Sequence, residues 1–159
     1  MIVLLDNTVL SNFAATHRAQ LLQLAVGTEA ATTPHVMHEF SMGVAHGRVP
    51  ETDWSWLEIL SLSVEEGTLH EELLAHLNAG EASCLAVAYH RQGRLLTDDR
   101  DARRVAGQMQ IAVSGTLGML MRLVQQQYIT MTEGDALLRQ MIDHGYRAPV
   151  VSLTQLRSQ

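Results

Sequence analysis

The 159-residue sequence predicts an α/β fold, with a short parallel sheet of about five strands flanked by helices. Three observations predict it. The chain opens on an apolar run, Ile2-Val3-Leu4-Leu5, that ends in the carboxylate of Asp6 and then turns polar. The same pattern returns at Leu95-Leu96-Thr97, followed by Asp98 and Asp99. Strand-like and helix-like segments alternate along the rest of the chain, the order that builds a parallel sheet with helices on both faces. Apolar strands that end in acids bring carboxylates to the C-terminal edge of a sheet, where open α/β folds bind ligands.

Residues 2–6 are the first strand. From Thr8 to Ala25 the spacing of Leu10, Phe13, Leu21, Leu22 and Leu24 predicts two short helices with a break near Thr16-His17. Residues 30–33 form a second short strand. Pro34 suits the first turn of a helix that runs to about Ala45, with Val36, Phe40 and Val44 on one face. Leu57–Leu62 reads as the third strand. Thr68–Leu77 reads as a helix with Leu69, Leu73, Leu74 and Leu77 on one stripe. Asn78-Ala79-Gly80 breaks it, and Glu81 opens a helix of small apolar residues that reaches Arg91 and stops at Gly93. Arg94–Thr97 is the fourth strand, Asp99–Ala106 a helix, and Ile111–Val113 the fifth strand. Helices follow over Leu117–Gln127 and Thr132–His144, the second with Glu133 and Asp135 in its first turn. The tail ends in a short extended piece and a helical turn. No repeat or linker interrupts the chain, so one domain spans residues 1–159.

The composition narrows the function class. Hydrophobic residues make up 47% of the chain, which argues against disorder, and no apolar run reaches the ~18 residues of a membrane span. No basic stretch precedes the first apolar run, so no signal peptide is expected. One cysteine, Cys84, makes no internal disulfide, and together these point to the cytoplasm and away from a membrane. The net charge of −6 is unusual for a nucleic-acid binder, but acids gathered at a metal site account for much of such an excess. All eleven basic residues are arginine, a residue suited to phosphate contacts, though genomic composition explains the same bias.

The chemistry-bearing candidates are Asp6, Glu39, Glu81, Asp98, Asp99 and Asp101. Hard cations such as Mg²⁺ or Mn²⁺ need only a few carboxylates plus waters, and they activate water and offset phosphoryl charge. No P-loop, GxGxxG or GxSxG occurs, so a water held by metal is the natural nucleophile for phosphodiester cleavage. Each acid also has a plainer reading. Glu81 at the start of a helix favours the helix dipole. Glu39 suits a solvated helix position. Asp98 and Asp99 suit the N-cap of the next helix, one capping while the other binds metal. Asp101 suits the surface.

These residues together carry a resemblance. Asp6-Asn7-Thr8, Glu39, Asn78-Ala79-Gly80-Glu81-Ala82, Leu95-Leu96-Thr97-Asp98-Asp99, Arg103, Ala106 and Ser114-Gly115-Thr116-Leu117-Gly118 stand in the order seen in PIN-domain proteins. Over nearly its whole length the chain resembles the prokaryotic PIN-like branch with GEA, DD and GTLG signatures, related to VapC-type toxins. The resemblance implies a PIN-like, Rossmann-like fold that binds Mg²⁺ or Mn²⁺ and cleaves RNA. It implies that Asp6, Glu39, Glu81, Asp98 and Asp99 form the acidic site, with Asp6, Glu81 and Asp99 on the metal. Thr8, Asp101, Thr116 and Arg103 then support the site or the substrate. Glu81 departs from the pattern, because many relatives carry aspartate there. A small antitoxin-like partner and a homodimer are the partners the resemblance implies. The competing reading is a weakened or inactive PIN-like module acting in protein assembly or RNA tethering. A phosphatase-type or receiver-type enzyme is disfavoured by the absence of lysine and of a second aspartate two residues after Asp6.

Other residues invite plainer explanations. His35 and His38 are three apart, not the four that sets two histidines on one zinc. Trp54 and Trp56 suit base stacking or, more simply, a core anchor. Cys84 lies among apolar residues and reads as buried. Arg103 and Arg104 cannot both face one site, because adjacent helical residues point about 100° apart.

Overall fold

The computed structural model describes residues 1–157. Five strands form one fully parallel sheet: β1 (Val3–Leu5), β2 (Ala30–Thr32), β3 (Glu58–Ile59), β4 (Arg94–Leu96) and β5 (Val113–Ser114). Their order is β3-β2-β1-β4-β5, so β1 is central and the chain reverses its direction of sheet growth beside it. Leu4 of β1 is in register with Ala31 on one side and Leu95 on the other. A strand with neighbours on both edges and helices on both faces must be apolar throughout, and Leu4 and Leu5 are fully buried. The switch point lies between β1 and β4, the position at which open α/β sheets present ligand sites.

The helices are α1 (Asn7–Ala15), α2 (Gln20–Val26), α3 (Pro34–Ala45), α4 (Val64–Leu73), α5 (Ala79–His90), α6 (Arg100–Gln108), α7 (Thr116–Gln125), α8 (Met131–Asp143) and the short α9 (Thr154–Arg157). Helix α5 packs on β1 and β4 and buries Ala82 through Ala88. Its small side chains let it lie close to the sheet. Helices α2, α7 and α8 pack together through Leu22, Leu120, Leu123 and Leu138, all fully buried. The pairs that sequence spacing placed near Thr16-His17 and at Pro34 are where expected, and Thr33 caps α3 by accepting from Val36 N at 3.2 Å.

Several boundaries differ from expectation, each for a local reason. Helix α5 begins at Ala79 because Asn78 is its N-cap, so Asn78-Ala79-Gly80 starts that helix and does not break the chain. Helix α8 begins one residue early, on a Thr130–Glu133 capping box in which each side chain bonds the other's backbone N–H. The left-handed residue after α5 is Gln92 at φ 55°, not Gly93. Gly93 is needed instead because β1 passes close: a Cβ there would meet Ile2 O at 2.9 Å. Strand β3 is confined to two residues, and β5 begins two residues later than the apolar run suggests and ends one later.

Helix α4 is the largest departure. It starts at Val64, and its buried residues are Glu66 and His70, while Leu74 is exposed. Glu66 is satisfied by Ser63 N at 2.8 Å and by Arg91, whose Nε and Nη2 reach its carboxylate at 2.8 and 2.9 Å. The Arg91 guanidinium holds the Glu66 carboxyl below its ordinary range. Arg91→Met removes the partner of a buried carboxylate, and the expected cost is about 2 kcal/mol in denaturant unfolding, tempered by the partial exposure of Arg91. An unchanged midpoint would show that the pair is not a stabilising contact.

Candidate functional site

The sheet edge at the switch point carries the acids. Asp6 closes β1 and stands at the N-cap of α1, yet its side chain makes no capping bond. Its carboxylate points across to β4 instead. Oδ2 accepts from Thr97 Oγ1 at 2.7 Å and from Thr8 Oγ1 at 3.2 Å. Oδ1 is buried and has no hydrogen-bond partner among the described residues. Burial pushes the Asp6 carboxyl up to about 6, against the lowering effect of Thr97 and the Asn7 N–H, and the negative charge of Glu39 adds to it.

Three further acids surround it. Glu39 projects from α3 and accepts from Gly80 N at 2.7 Å through Oε1. A Cβ on Gly80 would come within 2.6 Å of that oxygen, so a larger residue there would push the Glu39 carboxylate from this position. Glu81 is the third helical residue of α5 and completes a capping box: its N–H donates to Asn78 Oδ1 at 2.9 Å and its Oε2 accepts from Asn78 N at 3.3 Å. Glu81 is 6% exposed, and burial followed by the charges of Asp6, Asp99 and Glu39 pushes its carboxyl up to about 8. Asp99 caps α6, its Oδ1 accepting from Ala102 N at 2.8 Å. Thus Glu39, Glu81 and Asp99 each commit one carboxylate oxygen to the scaffold, and among the described residues the other oxygen has no donor. The charge of Glu39 thus raises Asp6, and the charges of Asp6, Asp99 and Glu39 raise Glu81, because like charges this close repel.

Asp98 is built differently. Its Oδ1 accepts from Thr116 N at 2.8 Å, and its Oδ2 accepts from Asn12 Nδ2 at 3.0 Å and from Thr116 Oγ1. Both oxygens are therefore spent tying the end of β4 to the start of α7 and to α1. Thr8 links the two aspartates by donating to Asp6 and accepting from Asp98 N at 2.9 Å. Thr116 is fully buried against Asp98. Arg103 donates from Nη1 to Thr97 O at 2.9 Å and lies over the strand end. Asp101 is not brought in: it is exposed and pairs with Arg104 at 3.7 Å. Arg103 and Arg104 thus diverge as helical geometry requires.

Three residues of this arrangement escaped the sequence reading: Thr97, Asn12 and Tyr146. Thr97 reads as the last residue of a strand, and Asn12 bonds a partner 86 residues away with no local signal. Tyr146 joins the site through the turn after α8. Conversely, Trp54 and Trp56 lie elsewhere. Trp54 is buried edge-on to Phe40 at 5.4 Å and packs on Trp56 at 5.9 Å. His35 contacts His70 and not His38, with ring centres 4.5 Å apart. Cys84 is buried, and burial pushes its thiol up.

A groove of about 1440 Å³ opens over the acids. Glu39, Asp98 and Asp99 line it, with Asp6 and Glu81 buried behind them, and Arg48, Arg100, Arg103 and Arg147 stand around it. None of these four arginines pairs with a carboxylate among the described residues. No three Asp, Glu, His or Cys side chains among the described residues are already gathered into a ligating set. The donor chemistry nonetheless suits a hard divalent cation: carboxylate oxygens only, several without donors, one of them buried.

The electrostatics give a pH prediction for the metal-free protein. Asp6 and Glu81 have carboxyls raised above their ordinary 3.8 and 4.5. A raised acid favours folding in its protonated form, so their contribution is whole below about pH 4 and is lost as pH rises towards 8. Melting in EDTA should fall across that window, and added divalent cation should restore it at the upper end. A melting temperature that climbs steadily from pH 4 to 8 in EDTA would contradict mutual repulsion among these acids.

No helix among the described residues is long and apolar enough to cross a membrane. No curated protein and no solved structure gives a significant match. A family model described as PIN domain matches residues 2–159. With acids at the switch point of a five-stranded parallel sheet, and a family match along nearly the whole sequence, the chain belongs to the PIN-domain family.

Proposed function

We propose that this protein is a metal-dependent endoribonuclease that uses Mg²⁺ or Mn²⁺. PIN domains are generally nucleases. The observation that carries the finer reading is Asp6 Oδ1, a buried carboxylate oxygen without a donor, in a cluster where Glu39 repels Asp6 and Asp6, Asp99 and Glu39 repel Glu81. Such a cluster is costly unless a cation neutralises it. Asp6, Glu81 and Asp99 would hold the ion, with Glu39 next to them. When bound, the ion supplies an activated water and offsets charge on the phosphoryl group.

The chain's own residues do the positioning. Thr97 and Thr8 fix Asp6 Oδ2, which leaves Oδ1 as the oxygen free to ligate. The Asn78 capping box and the Ala102 N–H hold Glu81 and Asp99 in the same way. Asp98 keeps the start of α7 against the strand end and so sets the wall of the groove. Arg48, Arg100, Arg103 and Arg147 are placed to meet phosphates, which position a nucleic acid without reading its sequence. A toxin-like role controlled by a small protein partner covering this groove, and a homodimer, belong to the same proposal.

Cleavage of labelled RNA by the parent in Mn²⁺ or Mg²⁺, lost in EDTA and in Asp6→Asn, is the expected result. Cleavage that survives both would place the chemistry elsewhere. One observation favours a second reading, a PIN-like binding module: Glu81 has one oxygen tied to its own helix N-terminus. That reading expects RNA to bind without being cut in either metal.

A further inference from the structure

Phe, Trp and Tyr are scarce in this chain, and among the described residues only one of them lines the acidic groove. Phe13, Phe40 and Trp54 are buried, Trp56 packs on Trp54, and Tyr89 and Tyr128 are exposed on other faces. Tyr146 alone stands beside Asp98, Arg103 and Arg147 on the groove wall.

Its placement is fixed by the backbone before it. Helix α8 ends at Asp143 with His144 as its C-cap, and Gly145 adopts φ 108°, a conformation that L side chains rarely take. Gly145 N donates to Ile142 O at 3.0 Å and Tyr146 N donates to Met141 O at 3.0 Å. These two bonds are a Schellman motif, which holds the residue after the glycine against the helix end. The side chain packs against the core and is half-buried. The ring shares the groove lining with Asp98 and Arg103, at the strand end that carries the acids. An aromatic ring held in this way loses little freedom when a ligand stacks on it.

We infer that Tyr146 is the residue that selects unpaired bases: a base next to the scissile phosphate stacks on its ring, while Arg103 and Arg147 hold the flanking phosphates. A groove with guanidiniums around it and a single aromatic wall suits a single strand, whose backbone it can track while one base is turned onto the ring. A duplex keeps its bases stacked inside and has no base to offer. The inference rests on the nuclease reading above and adds the residue that gives it strand preference.

The test uses the full chain with a short single-stranded RNA, a matched duplex, and versions of the strand carrying one abasic nucleotide at successive positions. Binding is read in Ca²⁺ and cleavage in Mn²⁺, for the parent, Tyr146→Phe and Tyr146→Leu. Tyr146→Phe should match the parent within about twofold, since stacking needs the ring and not the hydroxyl, whereas Tyr146→Leu should weaken binding and raise KM about 5- to 100-fold at near-constant kcat. One abasic position should weaken the parent by a similar factor and leave Tyr146→Leu unchanged, a result that a purely structural role of the ring would not produce. Equal KM values for parent and Tyr146→Leu, or abasic penalties that are the same in both, would overturn the inference while leaving the nuclease reading intact. A parent that neither binds nor cleaves RNA would overturn both.

Discussion

Asp6→Asn is expected to lose RNA cleavage and divalent-cation binding, and to melt at a higher temperature than the parent in EDTA. The two effects have one cause. Asp6 brings a charge into a buried position beside Glu39, Glu81 and Asp99, and its carboxyl at about 6 against an ordinary 3.8 corresponds to about 3 kcal/mol of penalty on the charged form. Asparagine keeps the shape. Its carbonyl replaces Oδ2 as acceptor for Thr97 and Thr8, and its amide faces the neighbouring carboxylates. Part of the penalty remains as a desolvated amide, so the expected gain is about 1–2 kcal/mol, or roughly 3–6 °C for a chain of this length. The gain should be largest near pH 8, where the parent's acids are forced to ionise, and should shrink towards pH 4. Loss of one ligating carboxylate should reduce cleavage by at least about 100-fold, more than the loss of an outer partner costs. Thermal melts in EDTA at both pH values, beside a cleavage assay in Mn²⁺, check the two halves together. An Asp6→Asn variant that melts lower than the parent would show that the side chain is a structural acceptor and not a strained ligand.

Asp98→Ala is expected to act in the opposite direction, although Asp98 follows the same kind of strand and faces the same groove. Both of its oxygens are occupied, by Thr116 N, Thr116 Oγ1 and Asn12 Nδ2. Removing them leaves a backbone N–H and a hydroxyl of a fully buried threonine without an acceptor, and takes one of two acceptors from the Asn12 amide, which keeps Thr116 Oγ1 at 3.1 Å. Each such loss costs about 1–3 kcal/mol, and relaxation and water entry recover part of it, so the net expectation is about 3 kcal/mol, roughly 6–12 °C. Asp98→Asn should fall between the parent and the alanine variant, because one of its two termini becomes a donor facing the Asn12 and Thr116 donors. Cleavage should fall as well, through displacement of the start of α7, but Mn²⁺ affinity should be kept far better than in Asp6→Asn. Differential scanning calorimetry of Asp98→Ala in EDTA decides this. No loss of stability would mean that the three hydrogen bonds do not join the strand to α1 and α7.

These opposite signs show what the sequence could and could not say. That Asp6 and the Asp98-Asp99 pair converge was legible, because a strand that ends in an acid has one place to deliver it in a parallel sheet. The sequence also left open that one aspartate of the pair caps the next helix. Asp99 is the cap, and a cap uses only one oxygen, so capping and ligation are compatible. What was not legible is the division of labour. Whether a carboxylate is free or spent depends on partners such as Asn12 and Thr116, 86 and 18 residues away from Asp98. Glu81 carries both of its sequence readings at once, because the N-terminal turn of α5 lies at the sheet edge. Helix α4 failed for a related reason. Its leucine stripe is a local pattern, and the ion pair of Glu66 with Arg91, 25 residues on, turns a different face inward. Tyr146 had no pattern at all. It is positioned by a helix-ending turn rather than by periodicity, and its importance appears only once that turn is placed against β4 and α6.

The measurement that tests the account most directly is calorimetric titration of Mn²⁺ into EDTA-stripped parent, Asp6→Asn and Asp99→Asn. Asparagine remains a competent N-cap, so Asp99→Asn removes a charge without unfolding α6. The account predicts that the parent binds Mn²⁺ and that both variants lose most of that binding, since residues 93 positions apart in sequence build one site. Binding that is retained in both variants, or absent from the parent, would contradict it.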